Sequence, residues 1–369
     1  MSIRKLAVLT AVAAVILAAC TTASPGESEG AGCLVGVSWN DYDQERWKKA
    51  DEPAMKESIE GAGGTYTRTD AKKSSEQQLT DIDNLLGQGV GAIILLSKDT
   101  EVIQPALDRA ADQGVPVIAY DRLIEGENIF YITFDNTKVG EIIGETILGL
   151  VPEGNYAIIL GDATDANATF LRNGMTNAGV PALGDTSGPV HVVFEQNTPD
   201  WSTEGARNNM EAALNSTDPV NDIDAVLAEN DGMAGGAIEA LEAVGLTIPI
   251  GGQDGDIAAL NRVALGTQAV SVWKNAFALG HTAGKAAMDL CGGTALSDIE
   301  APADLPEAAA PADPKAVEFT TPGGTKVWSI TLTPQPLTKE NVHDAIDAGW
   351  ATKEQVCAGV AAGAVTGCD

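Results

Sequence analysis

Basic residues are scarce: 22 Lys and Arg stand against 52 Asp and Glu, a formal net charge of −30. Phosphate contacts need a basic surface, so nucleic acid is excluded as a partner. The acidity reads as a solvated surface suited to solubility outside the cell, in preference to a specific cationic partner. Histidine is scarcer still, with only His191, His281 and His343, scattered along the chain, and no two cysteines have CxxC spacing. A transition-metal centre is therefore not expected. GxSxG, HExxH and Walker patterns are lacking, and Gly87-Gln88-Gly89-Val90-Gly91 precedes an apolar run instead of opening a helix, so it fails as a dinucleotide loop. No cofactor is implied. The apolar run Leu6 to Ile16 is shorter than the ~20 residues that span a bilayer.

What stands around that short run is informative. Arg4 and Lys5 precede it and Leu17-Ala18-Ala19-Cys20 ends it, so residues 1–19 read as a cleavable leader. LAAC resembles the bacterial lipobox, which implies lipid on Cys20 and an extracytoplasmic protein held to the membrane through that anchor. Residues 20–32 are Ser, Thr, Gly, Pro and Glu with little to bury, a flexible tether. Without the leader, 20 Lys and Arg face 52 Asp and Glu, a net charge near −32. Cys33, Cys291, Cys357 and Cys368 then remain, an even number in an oxidising compartment that permits three pairings. The expectation is Cys33 with Cys291, tying the opening strand to a later helix, and Cys357 with Cys368, closing a short terminal loop.

The 369 residues exceed one ordinary core, so two packed domains are expected. From Leu34 onward short apolar runs alternate with amphipathic segments. LVGVSW, GTYTRT, AIILL, PVIAY and IFYITFD read as strands, separated by helices over 45–60, 74–86 and 101–113, the last opened by Asp99 or Thr100. A helix over 139–151 leads to a second series: strands YAIILG, VHVVFE, DAVLAEN, TIPIGGQD and AVSVWK, with helices over 168–178, 203–215 capped by Ser202, 235–244 and 257–265. This βαβ repetition predicts mostly parallel sheets with right-handed crossovers. The fold class is α/β, two doubly wound Rossmann-like lobes with a cleft between them, where small ligands bind. A helix over 277–290 follows, then the Pro/Ala-rich, acidic stretch 301–314 as an exposed connection. KAVEFTTPGGTKVWSITLTP reads as a hairpin, and 339–348 as a terminal helix.

Polar groups recur where strands end: Asp121-Arg122, Asp135-Asn136, Asp162 to Asn167, Asn230-Asp231, Gln253-Asp254 and Lys274. One such group is an ordinary cap or turn residue; six at equivalent places suggest a site. Carboxylates, amides, Arg and Lys together satisfy hydroxyls, which both donate and accept, so a polyol is the expected ligand. Trp47 and Trp201, at the starts of helices, offer ring faces to the C–H side of a sugar.

The stretches ERW (45–47), AYDR (119–122), FDN-KVGE (134–141), PEGNY (152–156), NDGMAGGAIEAL (230–241), GQDGD (251–256) and GTQAVSVWK (266–274) carry a resemblance. Together they make the chain similar to the substrate-binding proteins of bacterial sugar ABC transporters, in the periplasmic-binding-protein group with three crossings between lobes, and within it to the xylose-binding members. The resemblance implies a first lobe of 34–136 plus 274–300 and a second of 137–273 plus 315–369, with 301–314 connecting. It also implies that one monosaccharide, D-xylose first, is held by Arg46, Trp47, Asp121, Arg122, Asp165, Asn167, Trp201, Asn230, Asp254 and Lys274. A membrane permease would be the partner and the protein a monomer. Residues 301–326 and the four cysteines depart from the family pattern. The same fold also serves sensors that present a sugar or a furanose signal to a receptor.

A glycoside hydrolase is the competing reading, since Asp121, Asp135, Asp165 and Asp254 could pair as acid and base. Such an enzyme needs one carboxyl kept protonated. Arg46, Arg122 and Lys274 are expected to lower the carboxylate pKa values instead, making permanent acceptors, so catalysis is not expected.

Overall fold

Five strands from the first part of the chain belong to one sheet of the computed structural model, which describes residues 32–126 and 128–368. They are β1 (Leu34–Trp39), β2 (Thr65–Asp70), β3 (Ala92–Leu95), β4 (Val117–Tyr120) and β5 (Ile129–Phe134). Every residue of β3, β4 and β5 is buried, as expected of parallel strands covered on both faces. Between them run α1 (Glu52–Gly61), α2 (Ser75–Gly87) and α3 (Thr100–Asp112). Ser74 and Asp99 cap the last two by accepting from the first-turn amides. The helix expected over 45–60 begins differently, as a π-helical turn over Trp47–Asp51 that buries both Trp47 and Asp51 before α1.

The second series repeats the plan: α4 (Asn136–Leu150), β6 (Gly154–Leu160), α5 (Ala166–Asn177), β7 (Val190–Asn197), α6 (Thr203–Ser216), β8 (Ala225–Ala228), α7 (Asp231–Ala243), β9 (Ile250–Gln253), α8 (Ile257–Leu265) and β10 (Val270–Trp273). Helix α9 (Ala276–Cys291) then packs back on α1 and the first sheet. Neighbouring helices approach closely at glycines. A Cβ on Gly140 of α4 would lie 1.9 Å from the Leu171 carbonyl oxygen of α5, and one on Gly236 of α7 would lie 2.1 Å from that of Thr203 on α6.

Three further strands complete both sheets: β11 (Val317–Thr320), β12 (Lys326–Leu332) and β13 (Gln335–Leu337). The first sheet has the order β11-β12-β5-β4-β3-β1-β2 and the second β13-β10-β9-β8-β6-β7. Only β11 and β13 run antiparallel to their neighbours. The chain therefore passes between the sheets three times: after β5 at Asp135, after β10 at Lys274, and between β12 and β13 at residues 333–334.

Two expectations are corrected. The stretch 315–369 was expected wholly on the second lobe, yet β11 and β12 form their hairpin on the first sheet, where β12 lies parallel to β5 with Ile330 opposite Ile132. Ile330 and Leu332 find their apolar neighbours there. The helix expected over 339–348 is reduced to α10 (Asp344–Asp347), followed by α11 (Lys353–Val356). Asn341 ties its side chain to the Thr338 amide and the Pro336 carbonyl, and Gly349 at φ +72° ends the turn. These short elements pack on α8 through a satellite core that includes Leu260, Val342 and Val356. Cys33 is bonded to Cys291 and Cys357 to Cys368. The leader, Cys20 and the tether up to residue 31 lie outside the described residues. Among the described residues no helix is long and apolar enough to cross a membrane.

Candidate functional site

Strands β4, β6, β8, β9 and β10 all end facing the same gap, because parallel strands put their carboxyl ends on one side of each sheet. The helices that follow start there, and their caps are the polar residues flagged at strand ends. Asp165 accepts from the Asn167 amide at the start of α5, and Asn230 from the Met233 amide at the start of α7. Asp135 likewise caps α4 and stays exposed, outside the gap.

Asp121 is the centre of a buried charge network. Its backbone sits at φ +62°, a left-handed conformation that costs a non-glycine residue free energy and recurs at ligand sites. That turn aims the carboxylate at Arg46, 3.1 Å away, and at Lys274, 3.5 Å away. Arg46 is clamped from behind by Asp51, whose two oxygens lie 2.8 and 3.1 Å from its guanidinium, and by the face of Trp47 at 4.5 Å. Tyr120 donates its hydroxyl to Asp51. On the other lobe Asp254, at φ +105°, places an oxygen 3.6 Å from Arg46 and 4.0 Å from Lys274. Arg122 pairs with Asp165 at 3.1 Å and donates to the Ser97 carbonyl. Asn167 donates to the Asp121 backbone carbonyl at 3.1 Å and is itself held by the Asn136 amide at 2.9 Å.

All ten residues singled out from sequence line one cavity between the lobes. It is also lined by Gln44 and Gln253, which were not chosen. Gln44 accepts from Asn230 across the gap at 3.3 Å. Its only local cue is its place two residues before Arg46. Asp51, the clamp behind Arg46, was missed as well, since an aspartate five residues after an arginine looks like any helix surface residue. Asn230 is already occupied on both sides, its oxygen by the α7 cap and its amide by Gln44. The Trp201 ring lies over Gly161, where a Cβ would come within 2.2 Å of it. The Trp201 indole nitrogen and the Gln253 side-chain oxygen are buried without a hydrogen-bond partner in the protein, and both residues line the cavity.

The electrostatics correct one expectation. Burial alone would raise Asp121, but Lys274, Arg46 and Arg122 outweigh it and hold its carboxyl below the usual range. Asp165 and Asp254 go the other way: burial dominates over the same cations and pushes both up. The cations therefore do not lower every carboxylate. Both raised carboxyls remain paired, Asp165 with Arg122 and Asp254 with Arg46 and Lys274.

Several of these contacts join the lobes: Arg46 to Asp254, Asn167 to Asp121, Arg122 to Asp165 and Asn230 to Gln44. At the rim Lys98, following β3, reaches Asp162 at 3.3 Å and Asp200 at 2.7 Å on the second lobe.

A family model described as a periplasmic binding protein domain matches residues 35–295. The D-xylose-binding periplasmic protein of Escherichia coli (strain K12) is 35% identical over 315 residues, covering 85% of this chain and 88% of that protein. The protein of the same description from Haemophilus influenzae is 33% identical over 326 residues, covering 87% and 91%. Among solved structures, an ABC transporter solute binding protein from Clostridium phytofermentans with bound beta-D-glucose superposes with a TM-score of 0.72 at 28% identity, over 88% of this chain and 99% of that one.

Proposed function

The chain belongs to the periplasmic binding protein family, as an extracytoplasmic sugar-binding component of an ABC transporter and not an enzyme, and on that premise we propose that it captures one molecule of D-xylose between its lobes. The convergence of ten sequence-flagged residues from both lobes on one cavity carries this reading. Asp121, Asp254 and Asp165 accept from sugar hydroxyls, Arg46, Arg122, Lys274 and Asn167 donate to them, and Trp47 and Trp201 cover the C–H faces. The unpartnered Trp201 nitrogen and Gln253 oxygen supply one more donor and one more acceptor.

Because each lobe holds only part of the site, sugar favours the closed arrangement by its differential affinity for it. Arg46 and Asp254, or Asn230 and Gln44, exchange contacts with one another for contacts with the ligand. The closed form is then what a membrane permease recognises, and release follows reopening about the three passages between the lobes. Lipid on Cys20 tethers the protein, as a monomer, beside that permease.

A thermal-shift screen of common monosaccharides tests the assignment, since a ligand that binds only the folded state raises the melting temperature by mass action. D-xylose is expected to give the largest rise, and Asp121→Ala or Arg122→Ala to abolish it while the sugar-free protein stays folded. A rise with another sugar alone, or unchanged calorimetric affinity for xylose in both variants, overturns it.

A further inference from the structure

Asp231 is a buried carboxylate, 1% exposed, that the sugar reading does not use. It is the first residue of α7, a place where a carboxylate ordinarily serves its own helix, but Asn230 already caps α7. The four donors to its carboxylate all lie outside that helix. One oxygen accepts the backbone N–H groups of Gly255 and Asp256, each at 3.0 Å, and the Ser271 hydroxyl at 2.5 Å; the other accepts the Gln268 amide at 2.7 Å. Gln268 is braced in turn by Arg262, which also donates to the Asp231 carbonyl. The carboxylate lies against Gly252, where any side chain would displace it, since a Cβ there would come within 2.4 Å of it.

The two peptide groups it holds immediately follow Asp254, the residue at φ +105° whose carboxylate enters the cavity. An aspartate keeps such a conformation only where its surroundings enforce it. Here the Asp254 amide is tied to the Val272 carbonyl, the next two amides to Asp231, and the Gly255 carbonyl to the Trp350 indole at 2.6 Å. We propose that Asp231 is a positioning residue for ligand binding: its carboxylate fastens the Asp254–Asp256 turn and so aims Asp254 at the sugar. This rests on the sugar-binding reading for its consequence, though the fastening itself can be read without sugar.

The test uses the full chain and the near-isosteric Asp231→Asn, which puts a donor group in place of one carboxylate oxygen and leaves the other an uncharged, weaker acceptor for the turn amides. Without sugar, amide hydrogen exchange at Gly255 and Asp256 is expected to accelerate at least tenfold while the α7 amides keep their protection. Calorimetric titration with D-xylose is expected to show roughly 10–100-fold weaker binding. In an Asp254→Asn background the same change is expected to cost less than about threefold, whereas in an Asn167→Ala background it costs its full factor. A purely structural role gives equal factors in both backgrounds and overturns the proposal, as does unchanged exchange at the two amides. If Asp231→Asn does not fold, Ser271→Ala, which removes a hydroxyl that also accepts from the Gly255 N–H at 3.1 Å, must show the same dependence on Asp254 or the proposal falls. Wild-type protein that binds no monosaccharide refutes the sugar reading, and the exchange measurement then decides alone whether Asp231 holds the turn.

Discussion

Asp162 shows how differently neighbouring carboxylates are treated in this molecule. Burial would raise it, but the amides of Thr164 and Asp200, the Thr164 hydroxyl and Lys98 together pull its carboxyl down to about 2. A carboxyl with a folded value below its unfolded one adds stability that is fully present above the unfolded value, near 3.8, and is lost as pH falls toward 2. The difference in melting temperature between wild type and Asp162→Asn is therefore expected to be constant from pH 7 to about 5 and to close between about pH 4 and 2; a difference independent of pH across that window refutes the assignment. Asp165 and Asp254, raised by burial, contribute in the opposite sense. That division was not legible in the sequence. The strand-end positions of Asp121, Asp165 and Asp254 were, because a charge ending an apolar run is a local pattern. Which carboxylate burial overrides depends on how deeply two distant loops close over it.

Among the elements, the rim contact of Lys98 with Asp162 and Asp200 joins the loop after β3 to two loops of the second lobe. Lys98, Asp162 and Asp200 are not among the ten cavity residues, and the contact bridges the lobes, so its contribution falls on the balance between open and closed forms. Lys98→Ala is expected to speed sugar release about 2–5-fold with little change in association, since a partly buried ion pair contributes on the order of 1 kcal/mol. Stopped-flow measurement that finds the loss in the association rate instead refutes this role. In wild type the effect of added salt on release should be larger than in the variant. Strand and helix identities at this scale were readable from apolar runs and from caps such as Ser74, Asp99 and Ser202. The β11–β12 hairpin was readable too, through its Pro322-Gly323-Gly324 turn. Its lobe was not, because the pairing of Ile330 with Ile132 links positions nearly 200 residues apart and leaves no local trace.

For the molecule as a whole, the disulfides secure different things. Cys33–Cys291 spans 258 positions and fastens the first strand of the first lobe to the helix that returns from the second. Cys357–Cys368 spans 11 positions and staples the terminal segment whose Trp350 packs against Trp273 and Phe277. Replacing Cys357 and Cys368 by Ser removes a loop constraint of about 3 kcal/mol. The expected result is faster amide exchange confined to residues 339–368 and α8, together with weaker sugar affinity through the lost hold on Gly255. Loss of the whole fold in that variant refutes the view of this segment as a satellite.

The placement of β12 and β13 bears on the life of the chain before it is a finished protein. During synthesis, when residue 325 has emerged, neither sheet yet has its last strand: β5 waits for β12 and β10 waits for β13. A dozen residues later both have it. Neither lobe can be complete before the last stretch of the chain is made, so the nascent chain is kept from finishing one lobe early. A polypeptide that must thread through a membrane before it matures is served by that delay.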